Sequence, residues 1–71
     1  MAYDYSKLIG RMAELNVSRD DLAAAIGVSR SALYHKMRSD TEFTQDEIKK
    51  CVEVLNMEQR DIPLYFFMVK V

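Results

Sequence analysis

Residues 19–38 read RDDLAAAIGVSRSALYHKMR, and this stretch decides the fold. Ser18, just before it, is a good helix N-cap, and two acids follow in the first turn, where the helix dipole favours negative charge. Gly27 supplies the positive φ with which a helix commonly ends, and Ser29 is placed to cap the next helix. The spacing predicts two short helices joined by a tight turn.

The side chains of this stretch predict how the two helices pack. Ala23 is small enough to let them cross closely, and Val28 is expected to fill the wedge between them. Leu33 and Met37 attach the second helix to the core. The residues left on its outward face are Arg30, Ser31, Tyr34, His35 and Arg38. A helix-turn-helix presents its recognition helix to the DNA major groove in this way.

Apolar periodicity and caps predict further short helices on both sides. The first runs from about residue 5 to residue 15, with an inner face of Tyr5, Leu8, Met12 and Leu15. The fourth opens with a Thr44–Glu47 capping box, and its inner face is Ile48, Cys51, Val52 and Leu55. Pro63 suits the first turn of a short helix near residues 61–67, and residues 68–71 favour extended chain. We therefore predict a compact all-α bundle of about five short helices, a single domain over residues 1–71, with its helix-turn-helix at residues 18–38.

Composition excludes several classes of protein. The chain has one cysteine and one histidine, too few for an intramolecular disulfide or a Cys/His metal cluster, and no cofactor is expected. Two glycines are too few for a phosphate-binding glycine-rich loop. Residues 64–69 form the longest apolar run, far short of the roughly 20 residues that cross a membrane. No signal peptide is evident and the single thiol suits a reducing compartment, so we expect a cytoplasmic protein.

The distribution of charge, rather than its sum, favours nucleic-acid binding. The formal net charge is −1, which by itself argues against a nucleic-acid partner. Between Ser29 and Ser39, however, the chain carries Arg30, Lys36 and Arg38 and no acid. This local excess of positive charge predicts a one-sided patch of the kind that binds phosphate.

Residues 22–33, LAAAIGVSRSAL, resemble the helix-turn-helix of the lambda-type phage repressor and Cro superfamily. Residues 4–8, 46–51 and 62–67 are similar to segments of the small Cro-like regulators of Gram-positive phages and prophages. The resemblance implies a sequence-specific transcriptional regulator, not an enzyme, that blocks a promoter by binding a double-stranded DNA operator.

The resemblance also implies roles for individual residues. Base contacts are expected from Arg30, Ser31, Tyr34 and His35, and phosphate contacts from Arg19, Lys36 and Arg38, with Ser29 at the start of the same helix. Superfamily members usually have Gln at the position of Arg19, and larger relatives commonly have an apolar residue at the position of Lys36. Here Met37 is expected to take over that packing role.

Two alternatives remain beside this interpretation. The same bundle could be a protein-interaction module that binds another regulator without contacting DNA.

The apolar tail predicts a symmetric dimer built on residues 62–71, with Phe66 or Phe67 packed inward and both recognition helices facing the DNA. The alternative to the dimer is a monomer whose tail folds onto its own core.

Overall fold

The computed structural model describes residues 2–70 and is all-helical, as predicted. A single turn of 3-10 helix, Gln59–Asp61, leads into the last helix. The five α-helices in chain order are α1 (Ser6–Glu14), α2 (Arg19–Ile26), α3 (Arg30–Met37), α4 (Gln45–Val54) and α5 (Ile62–Phe66).

Side-chain caps determine where α2 and α4 begin. The Thr44 hydroxyl accepts a hydrogen bond from the Glu47 amide (3.2 Å), and the Glu47 carboxylate accepts one from the Thr44 amide (2.9 Å), which confirms the predicted capping box. Ser18 and Asp21 form a second box with distances of 3.0 and 3.2 Å. The sequence did not predict the second box because its acid is Asp rather than the usual Glu or Gln.

Residues with positive φ end four of the helices. Gly27 has φ 80° after α2, as predicted, and Asn16, Ser39 and Asn56 have φ of 56°, 66° and 50° after α1, α3 and α4. Asn tolerates this left-handed region better than most residues do, because its short polar side chain can bond locally. The turns after α1, α2 and α4 are therefore encoded by residues that tolerate positive φ.

The core contains most of the predicted inner faces. Its most deeply buried side chains are Leu8, Leu22, Leu33, Cys51, Leu55 and Phe66. Burial raises the pKa of the Cys51 thiol to about 12, so this cysteine is a core residue and not a reactive thiolate, as expected. Leu15 was wrongly assigned to the inner face. It is 39% exposed because α1 ends at Glu14 and Leu15 is the C-cap residue, outside the helical repeat.

The tail folds back on the N-terminal segment. Pro63 lies in the first turn of α5, and Phe66 is buried whereas Phe67 is exposed, which confirms the expectation that one of the two packs inward. Beyond α5 the chain is extended. Tyr3 and Val69 form an isolated antiparallel bridge, flanked by hydrogen bonds from the Asp4 amide to the Met68 carbonyl (2.6 Å) and from the Lys70 amide to the Ala2 carbonyl (3.0 Å).

This pairing changes the interpretation of the tail. The sequence predicted an exposed edge at residues 68–71, whereas residues 68–70 are paired on one side within the chain; Val71 lies outside the described residues. No helix among residues 2–70 is long and apolar enough to cross a membrane.

Candidate functional site

The exposed surface of α3, defined here as the α3 face, consists of Arg30, Ser31, Tyr34, His35 and Arg38. Arg19, at the start of α2, is also exposed. Leu33 anchors α3 to the core, so the opposite side of this short helix faces outward. The structure therefore brings most of the predicted contact residues to one surface.

Ser29 has a structural role at the beginning of this face. Its hydroxyl accepts a hydrogen bond from the Ala32 amide (3.0 Å), so it caps α3 as predicted. The cap satisfies one of the free amides at the helix start and fixes the direction in which the first turn projects.

Both arginines of the α3 face lie beside acids. Nε of Arg30 is 3.1 Å from Oδ1 of Asp20, a contact that links α3 to α2. Nε of Arg38 is 3.5 Å from Oδ2 of Asp40, and Nδ1 of His35 is 3.1 Å from the same oxygen. Because these pairs are exposed, solvent screens them and they add little to stability. Their main effect is on the local charge.

Tyr34 and Arg38 form a second contact on this face. Nη1 of Arg38 donates a hydrogen bond to the Tyr34 hydroxyl (3.2 Å), and the guanidinium lies 5.4 Å from the centroid of the tyrosine ring. This hydrogen bond, with the charge of Asp40, raises the pKa of Arg38. The ring of His35 meets that of Tyr34 edge-on, with centroids 5.6 Å apart. Tyr34 is thus held in place while 48% exposed.

Lys36 does not belong to the α3 face, and its burial argues against the predicted phosphate contact. The residue is only 9% exposed. Its ammonium lies 2.9 Å from Oε1 of Glu47 and donates to the Glu42 carbonyl (3.0 Å), and it is 5.9 Å from the centroid of the Phe43 ring.

The reason is the rotation of α3. Leu33 and Lys36, three residues apart, face inward, while Met37 is half-buried at the edge of the core and does not replace Lys36. The long aliphatic stem of a lysine can be buried when its ammonium finds a partner, and the α4 capping box supplies one in Glu47. The apolar position typical of larger relatives is therefore also an inward position here, occupied by a paired lysine.

The pKa of Glu47 reflects this environment. Burial by itself would raise it, but hydrogen bonds from the Thr44 amide and from Lys36, together with the Lys36 charge, outweigh burial and lower it. Glu47 is accordingly a charged partner of Lys36, not a neutral acid.

The α3 face has less positive charge than the sequence predicted. Burial removes Lys36 from the surface, and Asp20 and Asp40 lie beside Arg30 and Arg38. Both acids fall outside the stretch of residues 29–39 in which the charges were counted. A charge count that extended to α2 and to the residue after Ser39 would have included both acids.

A groove between α4 and α5 was not predicted. It has a volume of about 390 Å³, and its apolar lining includes Ile48, Val52, Ile62 and Phe67, with Lys49 and Glu53 on its α4 side. The described part of the chain holds no group of three or more His, Cys, Asp or Glu side chains able to bind a metal ion.

The chain belongs to the family described as "Protein of unknown function (DUF739)", which matches residues 1–69. Among solved structures, it is similar to the solution structure of the modulator of repression (MOR) of the temperate bacteriophage TP901-1 from Lactococcus lactis. The two are 39% identical with a TM-score of 0.78, over 100% of this chain and 96% of that one. No curated protein matches the chain. These similarities support a regulatory role in a phage.

Proposed function

We propose that this chain is a phage regulator that modulates repression by binding another regulatory protein through the α3 face. The observation that carries the proposal is the pairing of Arg30 with Asp20 and of Arg38 with Asp40. These two ion pairs make the α3 face close to neutral, although the face has the position of a DNA-reading surface. Such a regulator acts in the cytoplasm of the bacterial host.

The charge argument concerns phosphate binding. Proteins obtain most of their nonspecific DNA affinity by neutralising phosphates with lysine and arginine. Exposed ion pairs are weak enough for an arginine to leave its partner, but the carboxylate it leaves behind still repels the phosphate. Asp20 and Asp40 therefore reduce the electrostatic gain from DNA, which adds to the overall charge of −1.

The composition of the α3 face suits a protein partner. Tyrosine and arginine are enriched among the residues that dominate binding energy in protein interfaces. Tyr34 is half exposed and already ordered by Arg38, so binding through it loses little side-chain entropy. Charges of both signs on one small surface favour a specific partner with the complementary pattern. The similar phage protein is a modulator of repression, which favours a partner that takes part in repression.

Operator binding is the second candidate function. It is favoured by the arrangement of α2, the Gly27 turn and α3, which leaves Arg30 and Ser31 exposed in the first turn of α3. Arg19 is exposed and forms no ion pair within residues 2–70, so it is available to a phosphate. In this case the chain would exclude polymerase from a promoter by occupancy.

Titration of the ¹⁵N-labelled chain distinguishes the two functions. The titrants are the purified repressor encoded in the same phage or prophage genome and duplex DNA from its promoter region. We expect the repressor to shift the α3 amide signals, and Tyr34→Ala to weaken that binding at least tenfold, about 1.4 kcal/mol. Val54→Ala, which truncates an exposed apolar side chain on α4, is the matched control and should bind as the wild type does.

The salt dependence of DNA binding gives the result that would contradict the proposal. Binding to duplex DNA that falls steeply between low and physiological salt, and that Arg30→Ala weakens more at one site than on random DNA, would replace the protein partner with an operator. Absence of any α3 shift with the repressor would also contradict the proposal.

The assembly of the chain is a further part of the proposal. A symmetric dimer involving residues 62–71 stays a prediction, and the groove gives it a specific form in which α4 and α5 of two copies meet. Phe67, Met68 and Val69 are each more than 40% exposed and adjoin this region. Large exposed apolar side chains grouped in this way are typical of interaction surfaces.

A further inference from the structure

The helix that carries the proposed binding face packs on one neighbouring helix, and the chain just beyond it is tied to the N-terminal segment by a hydrogen bond from the Tyr3 amide to the Ser39 hydroxyl (2.9 Å). α3 packs mainly on α2, whereas α4 packs on both α2 and α5. Towards its C-terminal end, α3 is linked to the start of α4 by the Lys36 side chain. A short helix with one packed neighbour can rotate or tilt unless a second contact fixes it.

The contact of Lys36 with Glu47 is possible only in a narrow range of helix orientations. The side chains of Lys36 and Glu47 are only 11% and 13% exposed, and the ammonium also donates to the Glu42 carbonyl. Glu47 cannot follow a moving lysine, because its carboxylate is bonded to the Thr44 amide in the capping box. The acceptors for Lys36 are therefore fixed to the beginning of α4.

We infer that Lys36 is a positioning residue whose ion pair with Glu47 fixes the orientation of α3, and with it the direction of the α3 face. A buried ion pair adds little stability compared with apolar side chains of similar volume, but it is satisfied in few arrangements. An apolar side chain at this position would tolerate several rotations of α3. The consequence for partner binding rests on the proposed function, whereas the effect on α3 does not.

The test removes both charges and keeps the helix cap. In the Lys36→Met/Glu47→Gln variant, the glutamine side chain can still accept the Thr44 hydrogen bond, and methionine fills the space of the lysine stem. We expect a melting temperature equal to that of the wild type or higher. Hydrogen-exchange protection of the α3 amides should fall at least tenfold relative to the α2 and α4 amides, and residual dipolar couplings should report a changed α3 orientation.

The matched control removes an exposed ion pair from the same region. Lys50 and Asp46 are 3.1 Å apart on α4, and Lys50→Met/Asp46→Asn should leave α3 protection and couplings unchanged. Glu47→Gln alone is the second test variant in case the double variant does not fold, and it should also lower α3 protection. Unchanged α3 protection and couplings in a folded variant would overturn the inference.

Partner binding is a separate measurement. If the wild type binds the repressor, the double variant should bind at least tenfold more weakly despite its intact stability. If the wild type does not bind, the proposed function fails, while the exchange and coupling data still decide the role of Lys36.

Discussion

Gly27 and Gly10 differ in what a side chain would cost, although a Cβ at either position would meet no heavy atom within 4 Å. The difference is in the backbone. Gly27 has φ 80°, which strains a residue such as alanine, whereas Gly10 lies inside α1, where alanine is the best helix former. Alanine substitution should therefore have opposite effects at the two sites.

We expect Gly27→Ala to lower the free energy of unfolding by about 1 kcal/mol, and Gly10→Ala to raise it by about 0.5–1 kcal/mol. Urea denaturation monitored by circular dichroism measures both. Because neither substitution creates a clash, Gly10→Ala is a direct control for the added methyl group. Equal changes at the two positions would contradict a role for the left-handed turn.

At the scale of the element, the contact between α3 and α4 should depend on pH. The folded state lowers the pKa of Glu47 below its value in the unfolded chain, so the unfolded chain binds a proton more readily. The stabilisation from ionised Glu47 is then fully present above the unfolded pKa, about 4.3, and is lost as the pH falls through the folded pKa.

Comparison of Glu47→Gln with the wild type isolates this effect. The difference in free energy of unfolding between them should be constant from about pH 6 to 7 and shrink as the pH falls below about 4. Glu14→Gln removes a carboxylate that is 69% exposed at the end of α1 and serves to subtract the general effect of one negative charge. A wild-type advantage that grows in acid would reverse the sign and reject the assignment.

The helix boundaries were largely predictable because local chemistry sets them. Ser18, Gly27, Ser29 and Thr44 act through hydrogen bonds or φ angles within a few residues, so the sequence pattern contains the whole cause. The inward rotation of Lys36 was not predictable in this way. It depends on Glu47, which is eleven residues away and available only because a different helix starts there.

The predicted site illustrates the same limit. Exposure of the α3 face followed from Leu33 and the helical repeat, but its charge did not, because Asp20 reaches Arg30 from another helix. Apolar periodicity also placed Leu15 inside, whereas α1 ends one residue earlier. Long-range pairing of residues 2–4 with residues 68–70 had no local signal.

At the scale of the whole molecule, the groove offers a test of the dimer. Lys49 and Glu53 lie on its α4 side and form no ion pair within the described chain. In a two-fold symmetric contact the same surface meets itself, so Lys49 of one copy can face Glu53 of the other. A stable interface needs about 800 Å² from each copy, about a sixth of the 4800 Å² surface of this chain.

Reversing the charges at Lys49 and Glu53 distinguishes this dimer from other modes of self-association. By analytical ultracentrifugation, we expect the wild type to dimerise, and Lys49→Glu and Glu53→Lys each to remain monomeric because like charges meet. An equal mixture of the two variants should form a heterodimer, and the doubly substituted chain should dimerise again. A wild type that stays monomeric at several hundred micromolar would establish the monomer alternative.

Because Ala2–Asp4 pair with Met68–Lys70, the beginning of the first segment and the end of the last segment lie next to each other. The Lys70 amide and the Ala2 carbonyl are 3.0 Å apart, so a linker of a few residues would join them without moving a helix. A circularly permuted chain, with its new ends in a surface turn, would have the same neighbours throughout. The domain could equally be inserted as one unit into a loop of a host protein, since both connections leave it from the same place.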